Sequence, residues 1–121
     1  MQIETLTSDQ LERYLDLAQS QNRLTAENMA NVDTPGYRTL GMDFESEMKG
    51  ALNAAAAGES AQPVHVRFED GLVARPDGNN VSMDHESLQL AEEQLKFRTG
   101  VTLLKQQYQM TLDAIHVDGG K

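Results

Sequence analysis

The sequence predicts a mainly α-helical chain, with two long terminal helices folded back on each other as a coiled-coil-like hairpin and a variable middle that holds a short β-hairpin. Three observations carry this reading. Apolar residues recur at alternating steps of four and three near both ends of the chain, the period of a helix seam. That pattern is missing between residues 38 and 80, where Gly, Pro, Asn and Asp cluster and Val64 to Phe68 alternates with period two. Hydrophobic residues make up 39% of the 121 positions and aromatics 5%, with no Trp, too little for a large core. The apolar side chains therefore read as narrow stripes in need of partners.

Residues 1–7 are expected to be frayed. Ser8 or Asp9 can cap a helix, because a side-chain oxygen accepts from the free N–H groups of the first turn, and Glu12 strengthens that start. Leu11, Leu15, Ala18, Asn22, Thr25, Met29 and Val32 then form a seam that is apolar at both ends and polar between them. Residues 8–32 read as one helix about 37 Å long at 1.5 Å per residue. The N-terminal unit, 8–37, closes on Asn28-Met-Ala-Asn-Val-Asp-Thr-Pro-Gly-Tyr37. Asn28 and Asn31 share a helix face one turn apart, although Asn is a mediocre helix former. Thr34, Pro35 and Gly36 then break the helix ahead of Tyr37: Pro lacks an N–H and biases the preceding residue away from helical angles, and Gly36 permits the positive φ that a turn after Pro requires.

In the middle segment, 38–80, Met42 to Met48 reads as a short helix and the alanine-rich stretch Ala51 to Ala61 as mobile or weakly helical. Val64 to Phe68 reads as a strand, Asp70-Gly71 as a turn and Leu72 to Arg75 as the returning strand, a hairpin over 64–75. Pro76 to Asn80 is a second turn cluster. The C-terminal unit, 81–116, begins as a helix near Ser82 or Asp84 and runs roughly 50 Å. Its packing seam is Leu90, Phe97, Val101, Leu104, Tyr108 and Ile115, with Gln94 and Thr111 in the same register, and a second row, Leu88, Ala91 and Leu95, widens its first half. Gly100 lies inside this helix, either as tolerated weakness or as a point of close approach by another helix. Residues 117–121 are expected to be a short tail.

Ten Lys and Arg against 19 Asp and Glu give a formal charge of −9, which makes phosphate-rich partners, nucleic acid and anionic membrane surfaces unfavourable. Without cysteine there is no disulfide, thiolate metal site or cysteine nucleophile. No apolar run approaches the roughly 20 residues of a membrane span, so direct membrane insertion is not expected. The first residues hold neither a basic stretch nor an apolar one, so a cleaved secretory signal is not expected either. His65, His85 and His116 lack metal-ligand spacing, and Asp77-Gly-Asn-Asn80 lacks the bidentate acid of a calcium loop. With no phosphate-binding glycine loop and no nucleophile elbow, the expectation is no enzyme, no catalytic residue, no cofactor and no metal.

The run Asn28 to Tyr37 resembles the signature of bacterial flagellar rod, hook and hook-filament proteins, an Asn-x-x-Asn-x-x-Thr-x-Gly-aromatic pattern at the end of the first helix. Pro76-Asp-Gly-Asn-Asn-Val-Ser-Met-Asp84, Leu95-Lys-Phe-Arg-Thr-Gly100 and Leu103-Leu104 are similar to the opening and course of the last helix in the short proximal rod subunit of that family. The Arg-x-Tyr-x-x-Asn run typical of the sister protein FlgC is missing, and 121 residues cannot hold the large middle domains of the distal rod and hook proteins. The resemblance spans roughly residues 8–48 and 76–115; Met29, Val32 and Arg38 are conservative departures from it, and Ala51 to Gln62 offers no match.

This resemblance implies a structural subunit of the proximal rod, part of the periplasm-spanning drive shaft of the basal body, that polymerises through its terminal helices. It implies export by the flagellar type III apparatus, an assembly motif formed by Asn28, Asn31, Thr34, Pro35, Gly36 and Tyr37, and a distinct set of partners. Those are other copies of the chain, the rod proteins FlgC and FlgF, the adaptor FliE, and the MS-ring and export-gate region. A soluble helical adaptor or chaperone, binding one partner through the C-terminal seam, is the rival reading. A small self-contained helical hairpin is the third.

Overall fold

The computed structural model describes residues 2–119, and of residues 2–6 and 118–119 only the backbone. The described residues form α1 (Gln2–Ala30), β1 (Leu40–Gly41), α2 (Phe44–Ala56), β2 (Arg67–Phe68) and α3 (Met83–Gly119). The chain is thus mainly helical, with one small antiparallel sheet.

α1 starts at Gln2, ahead of the expected start, so Ser8 and Asp9 lie within the helix and cap nothing, and residues 2–7 are helical where fraying was expected. Met1 lies outside the described residues. No Gly or Pro interrupts 2–8, and Thr7, Gln10, Leu11 and Tyr14 share a groove with Thr99 and Leu103 of α3 and with Met48 and Leu52 of α2. Tertiary burial on that side sustains helix where a cap alone would not.

α2 joins the two stretches expected to be a short helix and a weakly helical segment. Asp43 caps it, its carboxylate accepting from Ser46 N at 3.2 Å. Alanine, the strongest helix former, carries the helix onward, and Ala54 is buried. The helix stops where Gly58 takes φ 73°. There Glu59 N donates to Ala54 O at 2.8 Å and Gly58 N to Ala55 O at 3.1 Å, the paired bonds of a Schellman stop.

The expected hairpin over 64–75 does not form. β2 pairs instead with β1, antiparallel, with Leu40 opposite Phe68 and Gly41 opposite Arg67. Glu69 N extends the ladder to Thr39 O at 2.9 Å. The chain bends at Asp70-Gly71, with Gly71 at φ 81°, but Leu72 to Arg75 form no strand and the sheet stays two-stranded. Val73 is 90% exposed, so its side chain adds no packing that would hold a returning strand there. The end of that segment folds into the next turn, where Arg75 N bonds Asn79 O and Gly78 N bonds Arg75 O, both at 2.8 Å.

α1 lies between two different surfaces. On one side Leu17, Leu24 and Met42 make the apolar cluster, flanked by Leu40, Phe44, Met48, Ala51 and Val64. Tyr14 meets Phe44 edge-on at 5.5 Å between centroids. On the other side α3 runs antiparallel, its direction fixed by hydrogen bonds from Asn28 to Glu86, Thr25 to Glu93 and Lys96 to Gln21. Ser82, one of the two expected starts, caps α3: its Oγ accepts from His85 N at 3.3 Å. The helix runs to Gly119, so residues 117–119 of the expected tail are helical, while Gly120 and Lys121 lie outside the described residues.

The side of α3 that meets α1 is rotated from the expected seam. Its most buried positions are Glu86, Glu93 and Gly100, at successive seven-residue steps. A Cβ on Gly100 would lie 2.7 Å from Leu15 Cδ2 and 2.9 Å from Tyr14 Cδ1, so the glycine marks a close approach between the two helices. Of the expected seam, Leu90, Val101, Leu104 and Thr111 are half-buried at the edge of this contact, while Phe97, Tyr108 and Ile115 are exposed. No helix among the described residues is long and apolar enough to cross a membrane.

Candidate functional site

The six residues singled out at the end of α1 meet the turn at 75–81, and the two segments close on each other as a clasp. Its centre is Asn28, 1% exposed. One Nδ2 hydrogen goes to Leu40 O at 2.8 Å and the other to Glu86 Oε2 at 3.2 Å. Its Oδ1 accepts from Leu40 N at 2.9 Å and from the Tyr37 hydroxyl at 3.0 Å. The amide thus pairs with both backbone groups of Leu40 as a neighbouring strand would, and every donor and acceptor position of the side chain is used. A residue poorly suited to a helix interior is placed there because it ties α1, β1 and α3 together in one step.

Asn31 works locally at the helix end. Its Nδ2 donates to Glu27 O at 2.8 Å, and its Oδ1 accepts from Thr34 Oγ1 at 3.0 Å. Thr34, Pro35 and Gly36 are exposed, and Tyr37 is half-buried. Gly36 has φ 75°, in the left-handed region that favours glycine. Its N–H donates to Asp77 O at 2.9 Å, so the turn is fixed from the second segment. Gly36→Val is expected to destabilise the chain by about 1–3 kcal/mol through backbone strain alone, since no atom stands where its Cβ would go. A urea titration of the variant beside the native chain checks this, and an unchanged midpoint would show that the turn tolerates another conformation.

The second segment supplies what the first lacks. Asn79, fully buried, donates from Nδ2 to Asn31 O and to Thr34 O, both at 2.8 Å, and so adds a second bond to carbonyls that already accept from Thr34 N and Tyr37 N in the turn after α1. Its Oδ1 accepts from Val81 N at 2.8 Å. Arg75 spans the junction, with one guanidinium nitrogen on Val81 O and another on Val32 O. Asn80 Oδ1 accepts from Thr39 N at 2.7 Å and from Thr39 Oγ1 at 2.9 Å, which holds the residue leading into β1. The run Pro76 to Asp84 was legible as a motif, but the roles of Asn79, Asn80 and Arg75 were not, because turn residues give no sign of the partner they will cap.

Below the clasp the α1–α3 contact carries two buried carboxylates that hydrophobic periodicity could not find. Thr25 Oγ1 donates to Glu93 Oε1 at 2.6 Å, with Asn22 Nδ2 at 3.4 Å from Oε2. Burial pushes the Glu93 carboxyl above the usual range, opposed by the bonds from Thr25 and Asn22. Burial likewise raises Glu86, opposed by Asn28, and the negative charge of Glu69 adds to the rise. Glu86 Oε1 is buried with no hydrogen-bond partner among the described residues. The Tyr37 hydroxyl is raised first by burial and then by Glu27 and Glu86. This arrangement orders the chain; it aligns no nucleophile with a base.

The chain matches no family model. It is similar to the flagellar basal body rod protein FlgB of Salmonella typhimurium, 35% identical over 111 residues that span 77% of this chain and 80% of that protein. FlgB of Cereibacter sphaeroides is 31% identical, over 84% of this chain and 87% of its own length. FlgB of Escherichia coli is 27% identical, over 77% of this chain and 80% of its own length.

Proposed function

The chain belongs to the FlgB family of flagellar basal body rod proteins, and from that membership we propose that it polymerises through its terminal helices into the proximal rod. It is a structural protein of the basal body, associated with other basal-body components, and the adaptor or chaperone reading is not favoured. The finer assignment is ours. The subunit is exported by the flagellar type III apparatus, and it lies in the periplasmic rod near the MS-ring and export gate. Its neighbours there are its own copies, FlgC, FlgF and the adaptor FliE. In the assembled rod the terminal helices pack as coiled-coil-like layers, and the clasp around Asn28 and Asn31 sets the angle at which the middle segment leaves them. The subunit performs no catalysis and holds no cofactor.

One observation supports this reading above the rest: α3 leaves large apolar side chains in water along most of its length. Leu95 is 65% exposed and Val117 76%, while the apolar cluster buried within the chain is small. Covering a side chain of this kind stabilises by about 1.5–3 kcal/mol when burial is complete. A subunit that orders fully only among neighbours offsets its loss of chain entropy with interface burial. A contact that joins unlike surfaces and does not close builds a filament.

Electron microscopy and mass spectrometry of basal bodies, purified with and without this gene, test the proposal. The chain is expected in the basal body, and its loss is expected to remove the rod. Intact rods formed without it would overturn the assignment.

A further inference from the structure

On a chain of net charge −9, residues 94–112 stand apart: they carry Lys96, Arg98 and Lys105 and no Asp or Glu. Lys96 lies over the Phe44 ring at 4.1 Å. Arg98 and Lys105 enter no ion pair among the described residues, and they rim a groove between α1 and α3 of about 810 Å³. Phe97, Val101 and Ala18 supply apolar surface within it. The next stretch of the same helix has the complementary character. Tyr108, Leu112 and Ile115, spaced four and three apart, are each at least half exposed, and the acids Asp113 and Asp118 accompany them in the sequence with no Lys or Arg between.

We propose that the C-terminal turns of α3 from a second copy, residues 108–118, occupy the α1–α3 groove of the first. The apolar side chains Leu112 and Ile115 cover Phe97 and Val101, and the acidic segment that carries them lies along Arg98 and Lys105. Groove and occupant are different parts of the chain, so each copy offers both and the contact repeats head to tail. This inference rests on the rod-subunit reading and names the surfaces that join copy to copy. Opposite charge at the rim fixes register and hastens encounter, while the covered apolar row holds the pair.

The absence of cysteine makes the test direct. Val101→Cys combined with Ile115→Cys places two thiols about 21 Å apart along one helix, beyond the reach of an intrachain disulfide. Oxidised basal bodies from that variant are expected to give a ladder of linked copies on a non-reducing gel. A control pairing Leu88→Cys, from the groove-remote face, with Ile115→Cys is expected to give none. Monomers from basal bodies that mass spectrometry shows to contain the variant would overturn the contact while leaving the rod assignment intact, and so would products that stop at the dimer. Absence of the native chain from basal bodies would overturn the rod assignment itself. Should the cysteine variant not enter the rod, charge exchange decides. Arg98→Glu with Lys105→Glu is expected to abolish swimming, and adding Asp113→Lys with Asp118→Lys is expected to restore it. Failure of that restoration overturns the proposal.

Discussion

Asn28→Ala is expected to remove about 3–5 kcal/mol of stability, while Asn31→Ala, in the same motif and one turn away, is expected to cost no more than about 1 kcal/mol. The contrast follows from where the two amides end. Truncating Asn28 strands the N–H and C=O of Leu40 and withdraws partners from the Tyr37 hydroxyl and from Glu86. Each buried group left without a partner costs about 1–3 kcal/mol, and some of that is recovered by relaxation. Among the described residues the Asn31 side chain bonds only Glu27 O and Thr34 Oγ1, where water can replace it. Total stabilities of small domains are about 5–15 kcal/mol, so the first substitution removes a large share and the second is nearly silent. Denaturant midpoints of the two variants, taken on one preparation of the native chain, settle the comparison. Equal losses would show that Asn28 is not the tie between α1, β1 and α3.

That contrast also marks how far the sequence could be read. Two long terminal helices, the positive φ of Gly36 and the run at 76–84 were legible, because periodicity and Gly act locally, whereas α1 ends at Ala30, ahead of the expected end at residue 32 and of the break at Thr34 to Gly36. The partner of β2 was not. Val64 to Phe68 looked ready to pair with 72–75 across Asp70-Gly71, but β1 is fixed in place by Asn28 and Asn80, both distant in sequence. The helix through Ala51 to Ala56 was underrated because its stop depends on a cap at Gly58 and its support on burial of Ala54. The face of α3 turned toward α1 was missed for a sharper reason. A search for apolar stripes ranks Phe97 and Tyr108 above Glu86, Glu93 and Gly100, yet the polar and small residues are the ones buried. A glutamate at seven-residue spacing announces a contact only when Thr25 and Asn28 are already known to face it.

Glu86→Gln is expected to stabilise the isolated chain at neutral pH, on the order of 1–2 kcal/mol, and to flatten its dependence on pH. Both buried carboxyls on α3 titrate above their ordinary value in the folded chain, chiefly because burial disfavours the charged form. The folded state therefore binds more protons than the unfolded one between the ordinary carboxylate range and the raised folded values, and stability falls as pH rises through that window. Above it both states are ionised and the full cost of the buried charge is present. Below it both are protonated and the cost is gone. The direction is opposite to that of a salt-bridged carboxylate. The amide that replaces the Glu86 carboxylate keeps an acceptor for Asn28 Nδ2 and removes the charge that Glu69 opposes. Acidifying a chain of net charge −9 also relieves general repulsion in the same direction, so the native profile alone does not isolate these two groups. The difference between profiles does. Melting temperatures from about pH 4.5 to pH 7.5 are expected to converge for native chain, Glu86→Gln and Glu93→Gln at the acid end and to separate toward neutrality. Parallel curves across the range would show that neither carboxyl is held in its protonated form by the α1–α3 contact.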